Sequence, residues 1–301
     1  MSEIKSGVLV INKPQGITSH DVVNKIRRIY STKKVGHTGT LDPMATGVLP
    51  ILVGSAVKAS EYLVSDTKNY SAKMLLGIET DTEDISGKTL STSDDIPSDE
   101  EITTAINSFL GEYMQTPPMY SALKVGGEKL YDLARRGITV EREARRVEVF
   151  SITPKKLGDR EWEIDTEVSE GTYIRTLVTD IGKKLGCGAT MSALERRVSG
   201  SFVLENSYTL DELEGMSEEK LTSLLVPTEE LFSNCEKISL PEFYERLAKN
   251  GAEIYLSRAK IKTDATLGDR IRLADKDGVF FALGELREYP TGVAIKPIKF
   301  F

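Results

Sequence analysis

The sequence has little of what builds metal sites or covalent cross-links. Cysteine occurs only at Cys187 and Cys235, and histidine only at His20 and His37. No CxxC or HxxxH spacing joins them, which argues against a structural zinc site. Two cysteines in a chain of 301 residues do not make a disulfide framework, and they fit a reducing cytoplasm. No apolar run approaches the roughly 18 residues that a membrane-spanning helix needs. Met1 to Gly7 carries charges and lacks the apolar stretch of a signal peptide. A Walker-type phosphate loop is missing, as are internal repeats and low-complexity stretches. What remains is a chain with 40% hydrophobic and 28% charged residues, long enough for one large domain plus a small one.

The net charge of −7 disfavours a polyanionic partner until it is divided. Residues 79–101 hold nine acids and one lysine, and residues 205–230 hold eight acids and one lysine. Without these two segments the rest of the chain is +8. Both read as solvated acidic faces, which nucleic acid would avoid while docking elsewhere.

Residues 7–12 (GVLVIN) read as a buried strand ended by the turn Lys13-Pro14-Gln15-Gly16. Thr18 and Asp21 form a capping box for a helix whose inner face carries Val22, Val23, Ile26, Ile29 and Tyr30. Strands are expected over 48–53, 68–77 and 161–168, and helices over 56–64, 99–110 and 174–185. The last of these takes Thr172 as its cap and Gly186 as its stop. Residues 116–146 read as an irregular insertion with a short helix near 129–135. Strands and helices mixed without regular alternation indicate an α+β fold. The expected division is a domain over 1–230 with an insertion at about 117–146, then a β-rich module over 237–301. That module carries twelve Lys/Arg against nine Asp/Glu.

Asp42 stands out chemically. It is the only carboxylate between Asp21 and Glu61, an interval that also holds Lys25, Arg27, Arg28, Lys33, Lys34 and Lys58. A basic surface suits RNA phosphates, and one ionised carboxylate within it could act as nucleophile or base. An aspartate before proline is also a common turn opener, and spacing alone favours that reading.

The surrounding string decides otherwise. Gly36-His37-Thr38-Gly39-Thr40-Leu41-Asp42-Pro43, running on to Pro50, resembles the signature of the TruB family of tRNA pseudouridine synthases. Asn12-Lys13-Pro14-Gln15-Gly16 with Ser19, Lys68-Asn69-Tyr70, Pro117-Pro118-Met119-Tyr120-Ser121-Ala122-Leu123-Lys124 and Gly171-Thr172-Tyr173-Ile174-Arg175 resemble four more of its motifs, in order. Ala282-Leu283-Gly284-Glu285 and Ile295-Lys296-Pro297-Ile298-Lys299 resemble the PUA-type RNA-binding module that ends these enzymes. The likeness spans about residue 7 to residue 301, and the two acidic segments match no motif.

The resemblance implies a mixed, largely antiparallel pseudouridine synthase-type sheet with flanking helices and a PUA-like domain. It implies that uridine 55 in the T-loop of tRNA is isomerised to pseudouridine, with no metal or nucleotide cofactor. It gives Asp42 as the essential carboxylate, Arg175 as the cation beside it, and Tyr70 as the ring that stacks on the flipped base. Tyr173 and Leu194 would line the pocket, and His37 would fill the gap left in the RNA loop. Lys13 and Lys124 fall in motifs that bind substrate, and the basic segment 124–146 resembles the insertion that grips the T-arm. The implied protein is a cytoplasmic monomer that meets tRNA without a membrane or an obligatory protein partner. Competing readings are a guide-RNA-dependent synthase of the same superfamily, a non-catalytic RNA-binding or RNA-folding protein, and an N-glycosylase that frees uracil. Guide-dependent relatives look shorter across 117–146, and retention of Asp42, Tyr70 and Arg175 together argues for catalysis. Release of free uracil would identify a glycosylase, because isomerisation keeps the base attached.

Overall fold

The structure is a computed structural model that describes residues 6–62 and 67–301. Its first part runs β1 (Gly7–Lys13), α1 (Ser19–Ile29), β2 (Val35–His37), β3 (Thr46–Val53), β4 (Lys68–Leu76), β5 (Ile78–Thr80), β6 (Thr89–Thr92), α2 (Asp99–Asn107) and β7 (Gly111–Gln115). There follow β8 (Lys124–Val125), β9 (Glu128–Lys129), α3 (Leu130–Arg135), β10 (Arg145–Lys156), β11 (Glu161–Val168), α4 (Ile174–Leu185), β12 (Ala189–Ser199), β13 (Phe202–Val203), α5 (Leu210–Leu213) and α6 (Glu218–Ser223).

Nine of these strands form one sheet in the order β1-β3-β12-β4-β11-β10-β7, with β2 added to β3 and β13 to β12. Every pairing is antiparallel except β12 with β3, which is parallel and joins only Glu195 to Thr46 and Arg196 to Gly47. The parallel pair is the seam between the two halves of the sheet. It needs glycine at 47: a Cβ there would lie 2.2 Å from the Arg196 carbonyl oxygen, and φ is +99°.

Strand β1 is apolar throughout because both its faces are covered. Leu9 and Ile11 join the core beneath α1 and α4, whereas Val8 and Val10 join a second core on the other face. The capping box of α1 forms as expected: Thr18 Oγ1 accepts from Asp21 N at 3.0 Å, and Thr18 N donates to Asp21 Oδ2 at 2.9 Å. Gly186 stops α4 in the left-handed region at φ +79°. The cap of α4 is Tyr173 rather than Thr172, and it makes no side-chain cap bond of its own. The helix expected over 56–64 is a 3₁₀ helix, Gly54–Tyr62, and Leu63 and Val64 lie outside the described residues. Strands β10 and β12 go beyond the sequence reading. Much of β10 is exposed and polar, and bulges at Met191/Ala193 and Arg196/Val198 break the alternation of β12.

The second sheet contains β14 (Glu236–Ser239), β15 (Ile254–Tyr255), β16 (Arg270–Ala274), β17 (Phe280–Tyr289) and β18 (Gly292–Phe300), in the order β14-β16-β17-β18-β15. Helices α7 (Glu242–Lys249) and α8 (Leu256–Ala259) accompany it. It docks on the first sheet through Phe232, Phe280 and Phe301, whose rings pack against one another beside Val8, Val48 and Leu52. No helix among the described residues is long and apolar enough to cross a membrane. Phe232 is fully buried at this junction. Phe232→Ala is expected to lower stability by about 3–5 kcal/mol, measured by urea unfolding. A loss under about 1 kcal/mol would mean that the junction repacks freely.

Candidate active site

Asp42 sits in the loop between β2 and β3, and the protein holds that loop residue by residue. Ser19 Oγ donates to Leu41 O at 3.0 Å and accepts from Leu41 N at 2.9 Å. The Pro43 carbonyl accepts from Gly16 N at 2.7 Å and from Lys13 Nζ at 3.4 Å. Ala45 N closes the turn onto Asp42 O at 3.0 Å. Arg196 is fixed at both ends of the loop. Its Nη2 donates to Gly39 O at 3.0 Å and its Nε to Val48 O at 2.7 Å.

The Asp42 carboxylate meets Arg175, in the first turn of α4. Nε and Oδ2 are 2.8 Å apart, as a close ion pair rather than an aligned hydrogen bond. The Arg175 side chain is 5% exposed and that of Asp42 34%, so the arginine lies inside and the carboxylate faces outward. The guanidinium also donates from Nη1 to Thr82 O and from Nη2 to Tyr120 O, both at 2.8 Å. Burial pushes the Asp42 carboxyl above the ordinary carboxylate range. Arg175 opposes that shift, Asp84 reinforces it, and Lys13 also opposes it. Asp42 is thus a carboxylate that is costly to ionise, with its own cation in place.

Comparison with known proteins then identifies the family. A model of the TruB family pseudouridylate synthase N-terminal domain matches residues 27–174, and a model of the tRNA pseudouridylate synthase B C-terminal domain matches 175–233. A tRNA pseudouridine synthase B of Clostridium tetani is 46% identical over 93% of this chain and 95% of the relative. The chain belongs to the TruB family of pseudouridylate synthases. A tRNA pseudouridine synthase B of Alkaliphilus oremlandii is also 46% identical, over 83% of each chain. Among solved structures, a chain of a Cbf5–Nop10–Gar1 complex has a TM-score of 0.76 at 28% identity, covering 99% of this chain and 85% of that one.

The remaining TruB motif residues fall in several settings. Tyr70 lies on β4, 7% exposed, with Thr166 and Arg196 as its neighbours on the flanking strands. Leu194 is buried on β12, opposite Ala72. Tyr173 is half-buried at the start of α4, under the Arg145 guanidinium at 5.2 Å from the ring centre. His37 ends β2 with Nδ1 buried and unpartnered. Burial, then Arg196, then His20 push its pKa below the ordinary value of 6.5, so it is neutral at neutral pH. Lys124 is exposed on the hairpin of β8 with β9.

Lys13 departs from the expectation of a substrate contact. It is 0% exposed and donates to Pro14 O at 2.9 Å and Ile17 O at 2.8 Å, as well as to Pro43 O. Burial lowers its pKa to about 8. A lysine so enclosed ties Pro14, Ile17 and Pro43 together beneath the Asp42 turn. The first acidic segment is likewise more than a solvated face. Asp84 is 5% exposed, and its Oδ1 accepts from Thr82 Oγ1 and Ser86 N, closing the turn whose Thr82 carbonyl holds Arg175.

Sequence reading missed Arg196 altogether. Its local sequence carries no clear signal, because bulges interrupt β12 on both sides of it; in the structure Leu194 and Arg196 are both buried, whereas Arg197 pairs with Asp165 and Glu195 at the surface.

The raised Asp42 pKa has a testable sign. The folded protein binds the Asp42 proton more tightly than the unfolded chain does. Stability from this group therefore falls as pH rises from the ordinary 3.8 through the raised value, and is flat above it. Asp42→Asn escapes that penalty. Its melting temperature should equal or exceed wild type at neutral pH, with the gap closing toward pH 3.8. A variant that melts well below wild type at neutral pH would contradict this.

Proposed function

We propose that this protein isomerises uridine 55 in the T-loop of tRNA to pseudouridine. The observation that carries the reading is the ion pair of Asp42 with the buried Arg175, on a loop held in place by Ser19, Gly16, Lys13 and Arg196. Greater likeness supports the stand-alone reading over a guide-dependent one. Relatives named tRNA pseudouridine synthase B reach 46% identity, and the Cbf5 chain reaches 28%.

The reaction conserves atoms. The C1′–N1 bond of uridine breaks, the uracil turns while bound, and C1′–C5 forms. The C5 proton leaves, and N1 ends protonated. The target base must leave its stacked loop to reach Asp42. In this reading Tyr70 stacks on the flipped base and its hydroxyl helps move the C5 proton. Tyr173 and Leu194 line the pocket, and His37, neutral and ending β2, enters the space that the base vacates. Asp42 works as the carboxylate, and Arg175 favours that form electrostatically.

The second sheet acts as a PUA-like RNA-binding domain over 237–301, beside a catalytic domain over 1–230. Paired cations and rings on it suit RNA, with Lys249 over Phe281 at 5.1 Å and Arg258 over Tyr255 at 4.9 Å. The insertion, with Lys124 at its hairpin, grips the T-arm. The protein works as a cytoplasmic monomer without a protein helper, metal or cofactor.

Purified protein incubated with an unmodified tRNA transcript is expected to form pseudouridine at one site, in the T-loop. Asp42→Asn should form none, with tRNA affinity kept within a few fold. No product from wild type, or product from the variant at a near-normal rate, would overturn the assignment. Substitution of Tyr70 separates its two tasks. Tyr70→Phe should bind normally and lose roughly 10²–10⁴ in single-turnover rate. Tyr70→Leu should also weaken binding, by about 1–3 kcal/mol. Equal binding by the two variants would remove the stacking role, and a normal rate for Phe would remove the hydroxyl's.

A further inference from the structure

The insertion leaves the sheet at Gln115, the last residue of β7, and rejoins it at Arg145, the first of β10. The two are cross-strand partners. Gln115 is 0% exposed, an unusual place for an amide unless both its ends are satisfied. Tyr173 satisfies both, and Nε2 also donates to the Tyr113 hydroxyl. Tyr173 N donates to Gln115 Oε1 at 2.8 Å, and Gln115 Nε2 donates to Tyr173 O at 3.0 Å. Arg145 grips the same stretch. Its Nη2 donates to Gly171 O at 2.6 Å, and its guanidinium lies over the Tyr173 ring.

Tyr173 is the N-cap of α4 and has no side-chain cap bond of its own. Helix starts normally draw such a partner from their own sequence. Gln115, from a strand 58 residues away, instead accepts from the N–H of the N-cap itself, the part that the third helical residue plays in a capping box. Two positions further along α4 comes Arg175, whose Nη2 is held by the carbonyl of Tyr120, within the insertion. Both stems of the insertion and one of its carbonyls therefore fix the segment that carries Tyr173 and Arg175. A cleft of about 350 Å³ lies beside these stems, between α4 and β7, lined in part by Tyr113, Thr116, Arg142 and Thr176.

We propose that Gln115 and Arg145 are positioning residues for the isomerisation, transmitting engagement of RNA by the insertion to the placement of Tyr173 and Arg175. This rests on the function proposed above. Neither residue touches the reacting atoms. They act by setting where α4 begins, and with it the arginine that faces Asp42. RNA bound along the insertion would thereby complete the site only when the T-arm is in place.

The test uses the full-length protein and an unmodified T-arm hairpin. Gln115→Met keeps size and burial but deletes both amide bonds to Tyr173. Single-turnover rate at saturating enzyme should fall by about 10²-fold while hairpin affinity stays within threefold, as misplacement without lost binding requires. The acid limb of the rate profile should also move to higher pH. The charged groups acting on Asp42 are Arg175, Asp84 and Lys13, and a displaced Arg175 leaves Asp84 less opposed. Arg145→Lys keeps the charge but loses the fork and the planar stacking. It should change rate and pH limb in the same direction, and it serves if Gln115→Met does not fold. Wild-type rate with an unmoved acid limb in a folded variant would overturn the proposal. So would a loss confined to affinity. Wild-type and Asp42→Asn controls separate this from the function itself. An inactive wild type sinks that reading, whereas active wild type, dead Asp42→Asn and normal Gln115→Met sink only the coupling.

Discussion

The Asp42–Arg175 ion pair sets the terms for everything around it. A carboxylate pressed among protein atoms resists ionisation, and an arginine 5% exposed is tolerable only when its donors find acceptors. The fold meets both demands with long-range contacts. Thr82 and Tyr120 each give a carbonyl to the guanidinium, and they come from opposite sides of α2 in sequence. Once Arg175 is held from two directions, Asp42 can approach it to 2.8 Å without bringing in another counter-charge. The remaining net effect is still a carboxyl shifted upward, so the ionised form of Asp42 is held at a cost that Arg175 only partly offsets.

The loop that bears Asp42 depends on the seam of the sheet. Gly47 lets β3 meet β12 in the short parallel pairing, and that closeness brings the Arg196 side chain across to Val48 O and Gly39 O. A buried cation thereby ties the start of β3 to the loop after β2. Lys13 holds the middle of the loop from the other side, through Pro43 O. With its backbone fixed at Gly39, Leu41, Pro43 and Val48, Asp42 has little freedom left except in its own side chain. Rigidity of this kind fixes the carboxylate before any ligand is bound.

Local features were legible in the sequence. The Thr18–Asp21 box, the Gly186 stop, the apolar run of β1 and the alternation of β11 all express short-range rules, and each appears in the structure. Asp42 drew attention through its isolation among cations, and its resemblance motif named Arg175, which the fold brings to it. What stayed hidden depends on distance along the chain. Arg196 reaches Gly39 across 157 residues, and Gln115 reaches Tyr173 across 58, so no window of sequence holds both ends. The setting of Lys13 has a related cause. Its motif carried a substrate-binding role by resemblance, and only the closed loop reveals three carbonyls around it. Asp84 was lost inside an acidic run whose later members face solvent, such as Asp94 at 98% side-chain exposure.

We propose that the carboxylate opposed by Arg175 is the group whose ionisation permits the isomerisation. The most direct measurement labels aspartate carboxyl carbons with ¹³C, follows Asp42 by NMR as pH is varied, and compares its midpoint with the acid limb of the single-turnover rate. Asp42→Asn identifies the signal. Asp42 is expected to titrate above the ordinary carboxylate value of 3.8, and the acid limb of the rate to have the same midpoint. An Asp42 that titrates at or below 3.8, or a rate unchanged while Asp42 becomes protonated, would contradict it.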